Sequence, residues 1–425
     1  MTRARALAFV GLLAALLAGL PACTQAESTA PSGSVSSPAD FTLPTVIPTG
    51  APNGTATIPP PRKTDMTNRI VDMLKVIPDV AEARADLWLT DFASWRNALG
   101  VDVNLYRKMD RGEEKYLEYF IKPTTHLSLT NRWVGHPPFI AGMGLWGGTW
   151  PDSPIRTRNI GYGPLDVDRT VEAGIWRDWY EVIDGRFDIA IIKSISNRYA
   201  DQYLNPVLSK YEGVDILWWS REKNDELVNK PPVFDYEGRG RTLAVQTNLV
   251  FGSIYEDLVY QMIDASLGNA ASIADNPQFR KLAQQLEAMG AMSAEMSDRV
   301  TSRAMYLQLF GTLTPDQIDF FAHADLYAPL LERYEAYASG LGLDEKGFFV
   351  SLVLVYGSSE EATADVETLK KRLAFGVNSE DKPWSEDISA SEVWADGTTL
   401  CAQLRGNVTS YWRRLAGETL LVRVD

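Results

Sequence analysis

Cysteine is almost missing from this chain: 425 residues hold two, Cys23 and Cys401. One disulfide is therefore the ceiling, and neither a disulfide scaffold nor a thiolate metal site can be built. Histidine is equally scarce. The three present, His126, His136 and His323, never fall at the i, i+4 spacing of a helical zinc site. His136 precedes Pro137-Pro138, where a solvated loop histidine is the commoner case. There is no Gly-x-Ser-x-Gly elbow, no phosphate loop and no Gly-x-Gly-x-x-Gly fingerprint, so the corresponding hydrolases and nucleotide enzymes lose their main support. Positive charge is also in deficit, with 41 Lys+Arg against 55 Asp+Glu and a net charge of -14. General affinity for nucleic acid is thereby disfavoured. What remains, 45% hydrophobic and 23% charged residues, is an ordinary globular balance in a chain long enough for a sizeable core in two or three domains.

The first cysteine follows a distinctive lead. Arg3 and Arg5 precede an apolar run from Ala6 to Leu20, shorter than the roughly 20 residues of a membrane-spanning helix and laid out like a secretory signal. Leu20, Pro21 and Ala22 then lead into Cys23. This resembles the lipobox of bacterial lipoproteins, in which the cysteine is acylated and becomes the first residue; Pro21 departs from the small residue usual there. The alternative is an ordinary signal cut near Ala22 or Ala26, leaving Cys23 free or disulfide-bonded. Residues 23–64, with "STAPSGSVSSPAD" and "TIPPPRKT", are too rich in Ser, Thr, Pro and Gly to form a core. As a tether of about 40 residues they would reach a mean of roughly 35 Å from an anchor, and further where prolines stiffen them.

From residue 65 onward, period and turn chemistry organise the chain. Residues 67–74 read as a short helix, and 85–100 as a strand followed by a helix stopped at Gly100. Strands are expected at 179–188, 213–220 and 242–253, with a helix at 189–203 between the first two. Helices follow, one closed by Gly268 and one over 277–289 with Phe279, Leu282, Leu286 and Met289 at helical spacing. Downstream, "DEKG" marks a hairpin, Ser358 and Gly376 bracket a helix, Asp396-Gly397 marks a second hairpin, and "SYWRRLAGETLLVRV" reads as a helix and a strand. The expected fold is α+β, with antiparallel or mixed sheets and helices packed on one face. The expected domains are 65–290 and 291–425, and a diverged duplication of two α+β halves stays open. With Cys23 acylated, Cys401 is read as a small buried strand residue.

"GYGPLDVDRTVEAG", "GRFD", "YEGVDILWW", "VFGSIYEDLVYQMIDASLG" and "SIADNPQFRKLA" together resemble a group of uncharacterised bacterial secreted lipoproteins and membrane-attached proteins. In that group a Gly-x-Phe-Asp element, a Tyr-x-Gly-Val strand and an Ala-Asp-Asn-Pro helix start recur in this order. The likeness spans about residues 160–290. Its motifs are turns and caps, and it implies no activity and no catalytic residues.

The sharpest chemical candidate is "LDVDRTVE", residues 165–172. It is similar to the first motif of haloacid-dehalogenase-type phosphatases, in which the first carboxylate, here Asp166, is the nucleophile and the second, Asp168, the general acid, with Mg²⁺ neutralising the phosphoryl charge. That chemistry needs a buried apolar strand leading into the motif, and "NIGYGP" argues against one. The plainer reading is a helix start, with Asp166 or Asp168 as N-cap ahead of 169–173. A calcium loop lacks its glycine and its final glutamate. The second candidate is a tryptophan-rich stretch that includes Trp133, Trp146, Trp150, Trp176 and Trp179. Indoles beside polar groups stack on sugars or hold peptides; the commoner use is filling the junction between the amino-terminal segment and the first sheet. Trp218 and Trp219, adjacent on a strand, must face opposite ways.

The sequence therefore reads as a lipid-anchored module of the extracytoplasmic membrane face, noncatalytic and without cofactor or metal. Its expected partners are the membrane through Cys23 and a cell-wall glycan, peptide or envelope protein, with Trp133, Trp146 and Trp150 as candidate ligand contacts. Nucleic acid is not expected. The alternative is a metal-assisted phosphoester hydrolase using Asp166 and Asp168, and a third possibility is a passive envelope spacer.

Overall fold

The computed structural model describes residues 69–98, 100, 167–175, 178–187, 190, 206–218, 242–253, 255–300, 329–376 and 383–406, all within one compact unit spanning Pro44–Asp425. The fold is α+β. Its strands are β1 (Leu87–Asp91), β2 (Val167–Ile175), β3 (Asp178–Gly185), β4 (Val207–Tyr211), β5 (Val214–Trp218), β6 (Thr242–Gln246), β7 (Leu249–Ser253), β8 (Ser293–Ser297), β9 (Ala336–Asp344), β10 (Gly347–Val355), β11 (Ile388–Asp396) and β12 (Thr399–Gly406). They join in one twelve-stranded sheet, in the order β11-β12-β10-β9-β8-β1-β2-β3-β7-β6-β5-β4. Every neighbouring pair is antiparallel. The helices are α1 (Arg69–Leu74), α2 (Ala81–Arg84), α3 (Phe92–Ala98), α4 (Glu256–Leu267), α5 (Pro277–Ala288), α6 (Ser359–Phe375) and α7 (Trp384–Asp387).

Local chemistry sets these elements. Gly268 closes α4 at φ 76, a left-handed conformation that glycine adopts without a Cβ penalty. Asn276 accepts from the Gln278 and Phe279 amides and Pro277 opens α5, while Ser358 and Glu361 form a capping box on α6. Asp344 and Gly347 bracket the two-residue turn between β9 and β10. Cys401 lies fully buried in β12, and burial pushes its thiol up to about 11, which keeps it protonated and unreactive.

Four expectations are revised. The run 242–253 is two strands rather than one, because Thr247-Asn248 turns the chain: Asn248 donates to Asp184 at 2.7 Å and its carbonyl accepts from the Gly185 amide. The run 167–175 is strand β2, not a helix start, since pairing on both sides with β1 and β3 outweighs the capping signal of Asp168. Helices cover both faces rather than one. One face carries Leu89, Val171, Phe251, Met296 and Val353 beneath α1, α4 and α5; the other carries Trp88, Leu352, Leu354 and Leu404 beneath α6 and α7. β10 alternates strictly, with Val353 and Val355 in the first layer and Leu352 and Leu354 in the second, as a strand between two helix layers must. Lastly, the sheet does not divide at residue 290: β1, from before that point, pairs with β8, from after it, in the register Leu87 to Met296.

Candidate functional site

Asp168 is the one residue of the two-aspartate motif within the described region, and it sits in β2 at the centre of an ionic cluster. β1 ends on Asp91, whose carboxylate accepts from the Ser94 amide at 2.8 Å and the Ser94 hydroxyl at 2.7 Å and so caps α3. The same carboxylate takes Arg69 Nη1 of α1 at 2.8 Å, an ion pair with side chains only 6% and 4% exposed. One turn into α3, Arg96 reaches across to β2. Its Nη1 donates to the Val167 carbonyl and its Nη2 to Asp168 Oδ1, both at 2.6 Å. The other Asp168 oxygen faces Arg186 Nε at 3.4 Å. Next along β2, Arg169 Nε donates to Asp184 of β3 at 2.9 Å.

The electrostatics of this cluster follow from burial. Desolvation raises the Asp168 pKa although Arg186 and Arg96 pull against it. It lowers that of Arg96, which Arg186 lowers further and Asp168 and Asp91 support. Both carboxylate oxygens of Asp168 are thus committed to guanidinium groups, and the pair ties α3 to the β2 and β3 strands. A nucleophile or general acid needs an oxygen open to substrate; Asp168, its side chain 21% exposed, holds each of its oxygens against a guanidinium group. Among the described residues, no group of three His, Cys, Asp or Glu side chains could hold a metal ion.

The structure also assembles a row that sequence reading missed. On the face shared with Trp88, Glu295 of β8, Trp88 of β1, Glu172 of β2 and Glu181 of β3 are successive cross-strand partners, and all are buried. None of these four lacks a partner. The only signal in the sequence was the period-2 placement of each glutamate among apolar residues, which does not distinguish a buried carboxylate from a solvated one.

A further buried carboxylate, Asp365 of α6, lies in the other wing. It accepts from Tyr356 Oη and from the Glu332 amide, each at 2.8 Å, and burial raises its pKa against those bonds. Arg372, one helical face below, donates to the Pro329 carbonyl at 2.7 Å. Together they hold residues 329–335 against α6.

Where α1 meets the sheet, Glu287 of α5 accepts from the Ile70 and Val71 amides, satisfying donors at the helix start. Trp179 and Trp218 are half-buried, with Trp218 against the α4 side of the sheet. Cys23, Trp133, Trp146, Trp150, Trp176, Trp219, Asp166, the three histidines, the expected helix at 189–203 and the carboxy-terminal run after 406 lie outside the described residues.

No protein-family model matches this chain, and no curated protein matches it in sequence. Among solved structures, crystal form III of TP0453 aligns at a TM-score of 0.33 and 10% identity, covering 81% of this chain and 98% of that one. Crystal form IV aligns at 0.34, also at 10% identity, with 82% and 98% covered. Crystal form I aligns at 0.30 and 10% identity, covering 81% and 97%. Likenesses this distant carry no functional argument.

Proposed function

We propose that this protein is a lipid-anchored binding or interaction module on the extracytoplasmic face of the membrane, held there by an acylated Cys23 at the end of the 23–64 tether. The observation that carries the reading is the double ion pair of Asp168 with Arg96 and Arg186. It spends on architecture the described half of the one motif that suggested catalysis, which favours a scaffold over a phosphoester hydrolase. Arg69 supports the same reading. It opens the first described element after the tether and is clipped to Asp91 inside the sheet, so a pull on the anchor would pass to the sheet itself.

The reading includes a diverged duplication, with β1, β2 and β3 in one half answering to β8, β9 and β10 in the other. The ligand is a cell-wall glycan, a peptide or an envelope protein, and Trp133, Trp146 and Trp150 are its candidate contacts. Two experiments test this. Fatty-acid labelling of the wild type, lost in Cys23→Ala, is the expected result; labelling that persists in Cys23→Ala overturns the anchor. A thermal-shift panel with glycan fragments, peptides and Mg²⁺ with phosphoesters addresses the ligand, where saturation at 100 times Kd adds roughly 2.7 kcal/mol. Stabilisation by a glycan or peptide, removed by alanine at the three tryptophans, is expected. Turnover of a phosphoester that Asp166→Asn abolishes would overturn the noncatalytic reading.

A further inference from the structure

At one margin of the sheet, β4 pairs among the described residues with β5 alone. Four large apolar side chains are exposed among the described residues, and two of them are neighbours here, Val207 at 41% and Leu208 at 54%. Successive strand residues point to opposite faces, so a partner laid on either face would cover only one of them. A strand added alongside covers both, and an unpaired edge offers the backbone donors and acceptors to receive it. The other margin, β11, is a poorer template. Its register shifts between Ile388 and Ala390, and bulges of this kind turn an edge away from further pairing.

We infer that β4 pairs antiparallel with β4 of a second copy of this chain, joining two sheets across a two-fold axis at Ser209. The strand is self-complementary in that register. Val207 then opposes the partner's Tyr211, a β-branched and aromatic pair of the kind that stabilises antiparallel sheets. Leu208 opposes the partner's Lys210, whose methylene stem covers the leucine while its ammonium, on a side chain 71% exposed and 3.4 Å from Asp215, stays in water. Ser209 opposes itself, and a residue this small lets the two strands close at the axis. Centring the axis on Lys210 instead would set the two lysines against each other, which the charge excludes. The inference is independent of the ligand proposed above.

The test is carried out on the full chain in detergent, by sedimentation and by cross-linking. The wild type is expected to dimerise with concentration. Leu208→Lys, which opposes Lys210 of the partner, is expected to weaken dimerisation about tenfold or more, and Leu208→Lys/Lys210→Glu to restore it. Ser209→Cys is expected to form a disulfide-linked dimer on mild oxidation while Lys210→Cys does not. Unchanged circular dichroism and thermal midpoint of Leu208→Lys keep the comparison clear of misfolding. A wild type that stays monomeric at high micromolar concentration, or a Leu208→Lys variant that dimerises as well as the wild type, overturns the inference.

Discussion

On one side of the β1 and β8 seam the chain runs through β1, the β2 and β3 hairpin and a crossover to the far margin, then returns by β4, β5, β6 and β7 to lie beside β3. On the other side it runs through β8, the β9 and β10 hairpin and α6 to the opposite margin, then returns by β11 and β12 to lie beside β10. The path is the same; the first wing returns in four strands and the second in two. Each wing also ties down an aspartate near its crossover, half-buried Asp168 in one and buried Asp365 in the other, and there the chemistry parts. Asp168 is balanced by two arginines, whereas Asp365 is held by a tyrosine hydroxyl and a backbone amide. A shared path therefore fixes where a polar tie is needed without fixing what makes it. Charges neutralise charges where two cations converge, and neutral donors suffice where one helix is fastened to one segment.

That contrast sets the order of the expected effects. Asp168→Ala leaves Arg96 and Arg186 facing each other with side chains 8% and 11% exposed, and removing one member of a buried ion pair costs about 3–5 kcal/mol. Urea unfolding measures it, and a loss below about 1 kcal/mol would mean that the cluster is not the tie described. Asp365→Ala strands the buried Tyr356 hydroxyl, the Glu332 amide and the Thr368 hydroxyl, at about 1–3 kcal/mol for an unsatisfied buried group. Equal losses in the two variants would dissolve the distinction between the wings.

Gly342→Ala probes the second wing at its packing. Gly342 lies opposite Phe349 in the β9 and β10 register, and an added Cβ would come within 2.2 Å of Phe349 Cζ. The ring is buried and lies under the Arg405 guanidinium at 5.3 Å, so it cannot swing away freely. Overpacking there is expected to cost about 1–3 kcal/mol, read as a lowered thermal midpoint without loss of the far-ultraviolet circular dichroism signal.

The smallest effect belongs to Asp344, whose carboxyl is held below the usual carboxylate range by its hydrogen bonds from Arg405. Because its pKa is lower in the folded chain, the stabilisation is present above the unfolded value of about 3.9 and is lost as pH falls through the folded value. Asp344→Asn is expected to lose this small stabilisation at neutral pH and to converge with the wild type at low pH, so that this part of the acid limb of a stability-against-pH curve disappears. Deepening of the acid limb in the variant would reverse the sign assigned here.

Much of the local structure was legible in the sequence. Gly268, the Asn276-Pro277 start, the Ser358 and Glu361 box and the Asp344 to Gly347 turn act within a few residues, so their chemistry is complete in the local sequence. The α+β character and the burial of Cys401 follow from pattern alone. β2 was not legible, because local capping signals around Asp168 pointed to a helix and only pairing on both flanks made it a strand. Neither was the buried tie from Arg96 to Asp168, since these residues stand 72 positions apart. The single sheet through residue 290, the two helix layers and the buried glutamate row depend likewise on which distant strands become neighbours. Short-range signals decide conformation residue by residue, but strand order and the burial of a charge are properties of contacts that exist only once the chain has folded.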